Sequence, residues 1–221
     1  MSYSPLKRLC AEALGTALLL AIIVGSGIMA ERLCAGNIAI ALWVNVAAIS
    51  AGLVVLIHIF GPISGAHFNP VVTLIMWLRK DIRTSLALGY VVMQTIGAIG
   101  GTLMANIMFD HAVVEISTHV RSGNGLIFSE AVASFGLIAT ILAVSKFKPD
   151  FTPMAVGLYI SSSCWFSAST SFVNPAVSIA RAFTQSFTGI APQSVPAFIV
   201  AQLIGSVVAY YLFNWLLQEK A

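Results

Sequence analysis

The sequence predicts an all-α membrane protein: six transmembrane helices plus two re-entrant half-helices, arranged as an inverted repeat. Three observations carry this. The 221 residues are 58% hydrophobic and only 9% charged, whereas soluble domains carry about 25% charged residues. Two Asn-Pro pairs, Asn69-Pro70 and Asn174-Pro175, sit inside long uncharged stretches. The pieces around them recur in the same order in both halves of the chain.

A transmembrane helix needs about 20 largely apolar residues. By that measure the spans run from about Leu9 to Ala30, Ile38 to Phe60, Thr84 to Phe109, Leu126 to Val144, Pro153 to Phe166 and Val195 to Leu217. Asn is a strong helix N-cap, and Pro suits the first helical position because its missing N–H has no partner there in any case. Asn69 and Asn174 therefore each start a short helix, ending near Leu78 and Phe183. Residues 33–78 and 151–180 carry no Asp, Glu, Lys or Arg. Each stretch is too long for one span and too short for two with a loop, so one full helix plus a half-helix fits both. Non-helical backbone at membrane depth is tolerated only where protein buries it or a polar cavity solvates it. Two such breaks in corresponding places point to a solute path.

The repeat is legible piece by piece. Ala11-Glu12-Ala13-Leu14 answers to Ser129-Glu130-Ala131-Val132, Asn69-Pro70 to Asn174-Pro175, and Gln94-Thr-Ile-Gly97 to Gln202-Leu-Ile-Gly205, at offsets of 118, 105 and 108. The chain thus reads as a single domain, 1–221, made of halves at about 1–110 and 126–221. Three spans per half invert the second half relative to the first, so the half-helices enter from opposite faces and their N-termini meet near the bilayer midplane. With six spans, Lys7, Arg8, Arg79, Lys80, Arg83, Lys146, Lys148 and Lys220 share a side, against Arg32, Arg121 and Arg181 on the other. The excess of basic residues places both termini in the cytoplasm, in a multi-pass protein of the inner (plasma) membrane.

Other classes find little support. No cleavable signal is expected, because the apolar run after Lys7-Arg8 is too long and lacks a small-residue cleavage pattern. Cys10, Cys34 and Cys164 form no disulfide framework or C-x-x-C, and no basic tract suggests nucleic acid. No metal site, catalytic residue or cofactor is expected. Scattered thiols serve more readily as small buried apolar groups than as metalloid ligands. An intramembrane hydrolase would need more than Ser64 near His67, which lack a strained nucleophile turn and an orienting acid. An ion-coupled secondary transporter would need a carboxylate near the breaks, and the half-helix segments hold none.

Six spans, inverted halves, His67-Phe68-Asn69-Pro70 and Val173-Asn174-Pro175-Ala176, with Glu12 and Glu130 early in the first and fourth helices, resemble the aquaporin family of major intrinsic proteins over essentially the whole chain. The segment Trp165–Arg181 is also similar to the aquaglyceroporin-like branch linked to arsenic-resistance systems. The resemblance implies a right-handed bundle with a pore in each subunit of a homotetramer in the lipid bilayer. It makes Asn69, Pro70, Val71 and Asn174, Pro175, Ala176 the pore motifs, and Glu12, Glu130 and His67 supports of the re-entrant loops. The first motif departs by Val71, which adds bulk where the half-helices touch. The larger departure is Val177, three residues after the second Asn, where the family normally carries Arg. Positions i and i+3 share a helix face, so Val177 should line the pore. Arg181, four residues further, is the alternative source of that charge. Ile49, Ser171 and Cys164 (or Ser162) complete the expected filter. A wide, neutral constriction suits small uncharged solutes: water, glycerol-like polyols and undissociated As(OH)3, with an aid to arsenical efflux. A water-selective pore is the alternative.

Overall fold

The computed structural model describes residues 3–219; Lys220, counted above in the charge bias, lies outside them. Eight α-helices follow in order: α1 Pro5–Leu33, α2 Ile38–Ser64, α3 Pro70–Leu78, α4 Thr84–Met108, α5 Asn124–Phe147, α6 Thr152–Phe166, α7 Pro175–Ala180 and α8 Val195–Leu216. Single 3-10 turns precede α6 and α8 and follow α7. The full helices extend a few residues beyond the apolar runs at several ends, because caps rather than hydropathy set their termini. Ser4 caps α1 through Lys7, and Asn37 caps α2 by accepting from Ala39 and Ile40.

Among the described residues, five helices are long and apolar enough to cross a membrane: α1, α2, α4, α5 and the segment Pro192–Leu216. The expected sixth span, α6, has 15 residues and reaches only about 22 Å at about 1.5 Å per residue. It stops at Ser167, whose backbone is extended (φ −101°, ψ 138°), because the chain must turn back there toward Asn174. The second half-helix is likewise shorter than expected. α7 ends at Ala180, and Arg181–Phe183 continue as a 3-10 turn.

The two halves are built on matching helix pairs. α1 packs along α4 and α5 along α8, and each crossing depends on a glycine. A Cβ at Gly97 would come within 2.2 Å of the Ala13 carbonyl, and one at Gly205 within 2.0 Å of the Ala131 carbonyl. Gly101 meets Ala17 in the same way. In a bilayer, helix association rests on close van der Waals approach, and small residues at crossings permit it. The outer face is apolar and exposed, as lipid contact requires: Trp43, Val55, Leu88, Ile96, Phe128, Val208 and Trp215 all point outward.

The path of the chain fixes which loops share a face. α1 starts on the face that holds the termini and ends on the opposite, distal face. The α4–α5 connection and the turn after α7 therefore lie on the distal face, and the end of α3 lies on the terminal face. The α4–α5 connection lies against the connection between α7 and α8: Ser117 N–H donates to the Ala182 carbonyl at 2.9 Å and Ala191 N–H to the His119 carbonyl at 2.8 Å.

Replacing Gly205 by Ala should destabilise the protein by about 1–3 kcal/mol, the usual cost of overpacking, because the new methyl group meets rigid backbone and not a movable side chain. Thermal unfolding in detergent, followed by circular dichroism, measures this. The same substitution at Gly100, inside α4 with nothing near its missing Cβ, should not lower the midpoint and should raise it slightly, because Ala is favoured over Gly in a helix by about 0.5–1 kcal/mol.

Candidate functional site

The two re-entrant segments are non-helical chain held inside the bundle. Residues 65–69 and 170–174 adopt matching backbone conformations. Gly65 (φ 93°), Ala66 (49°) and Phe68 (48°) are left-handed in the first, and Thr170 (60°), Ser171 (56°) and Val173 (44°) in the second. Left-handed backbone at a β-branched residue such as Val173 is strained, at roughly 1–3 kcal/mol per residue. Something must hold it, and two buried carboxylates do.

Glu12, fully buried in α1, accepts from Ser64 Oγ (2.6 Å), His67 N (3.0 Å), Phe68 N (2.8 Å) and Gln94 Nε2 (2.7 Å). Glu130, fully buried in α5, accepts from Ser169 Oγ (2.5 Å), Phe172 N (2.9 Å), Val173 N (2.9 Å) and Gln202 Nε2 (2.7 Å). Each carboxylate thus satisfies two backbone donors that the left-handed turns strip of helical partners. Each glutamine has a further tie, Gln94 to Thr73 Oγ1 at 2.9 Å and Gln202 to Ser178 Oγ at 3.0 Å. These ties fix each half-helix against the long helix behind it. Charge-assisted bonds of this kind are the strong ones, and a low-dielectric surrounding strengthens them further.

The asparagines close the two halves on each other. Asn69 Oδ1 caps Val71 N at 3.0 Å, and Asn174 Oδ1 caps Ala176 N at 3.0 Å and Val177 N at 3.3 Å. Asn69 Nδ2 donates to the Val173 carbonyl and Asn174 Nδ2 to the Phe68 carbonyl, both at 2.8 Å. An amide nitrogen carries two N–H groups, so each asparagine has one further donor. Both residues line the same cavity.

That cavity, of about 550 Å³, runs through the bundle from Arg79 and Asp81 on the terminal face to Arg121 and Phe187 on the distal face. Of the residues singled out in the sequence, Asn69, Asn174, His67, Ile49, Cys164, Ser171 and Val177 all line it. Ser162 does not, and is exposed on the outside of α6. Ser163 meets Ser171 Oγ at 2.7 Å instead. Pro175, Ala176 and Val71 are buried in the packing of the half-helices and do not reach the cavity; Pro70 is half-buried beside them. His67 is held by Thr73 Oγ1 at 3.1 Å from Nδ1 and by an edge-on contact with Tyr90. Val177 contributes a short apolar wall. Arg181 also lines the cavity, with Nε donating to the Thr188 carbonyl. A guanidinium therefore stands in the wall one turn beyond the valine.

Several residues of the site carry no individual signal in the sequence. Ser64 and Ser169, and Thr73 and Ser178, are pairs at an offset of 105, the offset of the two asparagines; extending the repeat outward from those asparagines would have found them. Asn45 lines the cavity and is tied to Ile23 O and Ser26 Oγ, with no counterpart motif to flag it. Arg121 was visible only as one charge in a loop. It donates Nε to the Gly189 carbonyl (2.9 Å) and Nη2 to the Phe187 carbonyl (3.3 Å). Burial pulls its pKa below the usual arginine value, partly offset by the Glu130 carboxylate.

A bundle of long apolar helices, two capped half-helices meeting at its centre and a cavity running past both caps define a membrane channel, not an enzyme. The chain matches the family model for the major intrinsic protein family over residues 1–170 and 152–220, and it belongs to that family. It is 51% identical to the aquaglyceroporin AqpS of Rhizobium meliloti (strain 1021) over 212 residues, covering 96% of this chain and 91% of that protein. It is 32% identical to the propanediol uptake facilitator PduF of Salmonella typhimurium over 130 residues, covering 58% of this chain and 48% of that protein. Its fold matches the X-ray structure of the aquaglyceroporin from Plasmodium falciparum with a TM-score of 0.76 over 96% of each chain, at 20% identity. The protein is an integral membrane channel for water and small neutral solutes.

Replacing Glu130 by Ala removes the acceptor shared by four donors and leaves the Phe172 and Val173 N–H groups unpaired, while Gln202 keeps Ser178 Oγ. At about 1–3 kcal/mol for each buried group left unsatisfied, the second re-entrant segment should lose its left-handed backbone. The expected outcome is loss of most solute flux in proteoliposomes, with the protein still inserted and helical by circular dichroism. Undiminished flux would show that Glu130 does not hold the pore open.

Proposed function

We propose that this channel passes glycerol-like polyols and undissociated As(OH)3 as well as water, and that it aids arsenical efflux down a concentration gradient. The observation that supports the reading best is Val177 in the cavity wall three residues after Asn174, where the family's usual arginine is absent. A valine brings neither the bulk nor the fixed donors of a guanidinium, so it leaves room for a solute larger than water. As(OH)3 presents three hydroxyls on a compact neutral body, much as a small polyol does.

The chemistry of passage follows from the lining. A hydroxylated solute gives up water and gains fixed partners: the spare N–H of Asn69 and of Asn174, and carbonyl acceptors of the strained segments. Ile49, Cys164 and Val177 form the apolar side of the same wall. Fixed donors and acceptors that replace a hydration shell without binding tightly allow entry and exit in file. Ions would lose more hydration than this lining returns. The names of the relatives, an aquaglyceroporin and a propanediol facilitator, fit the same solute class. In this reading the subunits assemble as homotetramers in the plasma membrane, with both termini in the cytoplasm, as the bias of lysine and arginine suggests.

Arg181 supports a second, narrower reading. A guanidinium one turn beyond Val177 restricts the path if it swings inward, and the pore is then selective for water. Stopped-flow swelling and arsenite uptake in proteoliposomes separate the two. Glycerol and arsenite flux well above protein-free vesicles is the expected outcome, and a pore that passes water alone would defeat the first reading. Val177→Arg should lower glycerol and arsenite flux by about tenfold, equivalent to about 1.4 kcal/mol of added barrier, while sparing water. Equal solute flux in both forms would show that Val177 is not at the constriction.

A further inference from the structure

Two guanidinium groups converge at the distal end of the cavity. Arg181 comes from the turn after α7 and Arg121 from the α4–α5 connection, so the charges arrive on different loops. Their Cζ atoms lie 3.5 Å and 5.2 Å from the centroid of the same Phe172 ring, and both side chains line the cavity. Arg181 is 7% exposed, and among the described residues the one hydrogen bond of its side chain runs from Nε to the Thr188 carbonyl. Neither of its Nη groups has a protein acceptor among the described residues. Arg121 commits Nε and Nη2 to carbonyls, which leaves Nη1 open.

No ion pair among the described residues includes either arginine. Glu130, the carboxylate that acts on both electrostatically, already accepts from four donors. Phe172 offers each cation the face or edge of one ring, which is partial compensation only. Buried charges are ordinarily paired, and here two like charges share a partly dry mouth with no carboxylate in ion-pair contact; Glu31 of α1, at the same mouth, is engaged with the Phe187 N–H at 3.2 Å.

We propose that this distal vestibule is a docking site for a small tetrahedral oxyanion, held between the Nη groups of Arg181 and Nη1 of Arg121. The forked guanidinium matches two oxygens of one anion, a geometry that a halide cannot use. The anion stops there. Inward lie Val177 and Cys164, which offer nothing to replace its hydration. A docked oxyanion stands in the solute path and blocks it. The block rests on the proposed solute path, whereas the docking does not.

The test uses the full-length protein at low ionic strength, with inorganic phosphate and sulfate as probes. Isothermal titration calorimetry in nanodiscs reads docking, and glycerol-driven swelling of proteoliposomes reads block. Saturable binding of either anion, with glycerol flux falling over the same concentration range, is the expected result. Arg181→Gln should weaken binding by about tenfold or more, the loss expected for a hydrogen bond to a charged group. Arg181→Lys, which keeps the charge and loses the fork, should fall between, and Arg121→Gln provides a second, independent variant. Absence of binding in the natural protein, or binding in Arg181→Gln and Arg121→Gln as tight as in the natural protein, overturns the docking. Block that survives loss of binding overturns the claim that the docked anion obstructs the path. Arginine-dependent binding without glycerol flux in any preparation upholds the docking and instead defeats the proposed solute path.

Discussion

The structure depends on how two stretches of non-helical backbone are kept satisfied in the middle of a membrane. Residues 65–69 and 170–174 cannot bond to themselves as a helix does, and hydrocarbon gives them no water. Glu12 and Glu130 meet this constraint from opposite halves, each accepting two backbone N–H groups, a serine hydroxyl and a glutamine amide. An ionisable group inside a membrane span is costly. Here the charge is fully engaged, and the left-handed turns it stabilises are what expose carbonyls and asparagine amides to a continuous cavity. Structure and conduction therefore draw on the same bonds.

The two halves share one solution, yet the pore is not symmetric. Around the carboxylates the correspondence is close: Ser64 with Ser169, Thr73 with Ser178, Gln94 with Gln202, and the crossed bonds from Asn69 to Val173 and from Asn174 to Phe68. Away from the centre it fades. The terminal mouth holds Arg79 paired with Asp81 at 2.9 Å, so its charge is balanced. The distal mouth holds Arg121 and Arg181, neither in an ion pair among the described residues and both against Phe172. A shared core keeps the half-helices in register, while the loops beyond it are free to differentiate the two entrances.

Much of this was legible in the residues. The caps at Asn69 and Asn174 announced the half-helices because an N-cap and a following proline act within three residues of chain. The repeated glutamate and glutamine pieces marked the helices that carry the supports. The limit of this kind of reading appears at α6, where a hydrophobic run gave the right helix without showing how short it is, and at Arg181. The separation of Arg181 from Asn174 places it on roughly the pore-facing side of a continued helix. The chain instead tightens into a 3-10 turn there, and the side chain is drawn to the Thr188 carbonyl.

The sequence by itself determined the class of the protein, the number and order of its helices, the two breaks and the inverted halves. All of these follow from composition, caps and spacing, which operate over one or two turns of chain. Only the tertiary structure decided which groups those breaks are tied to, that Cys164 and not Ser162 faces the cavity, and that Arg121 and Arg181 share one ring. Those outcomes join residues from α1 to the loops beyond α7. They are set by which donors remain unpaired once the helices have packed, and no local pattern contains that information.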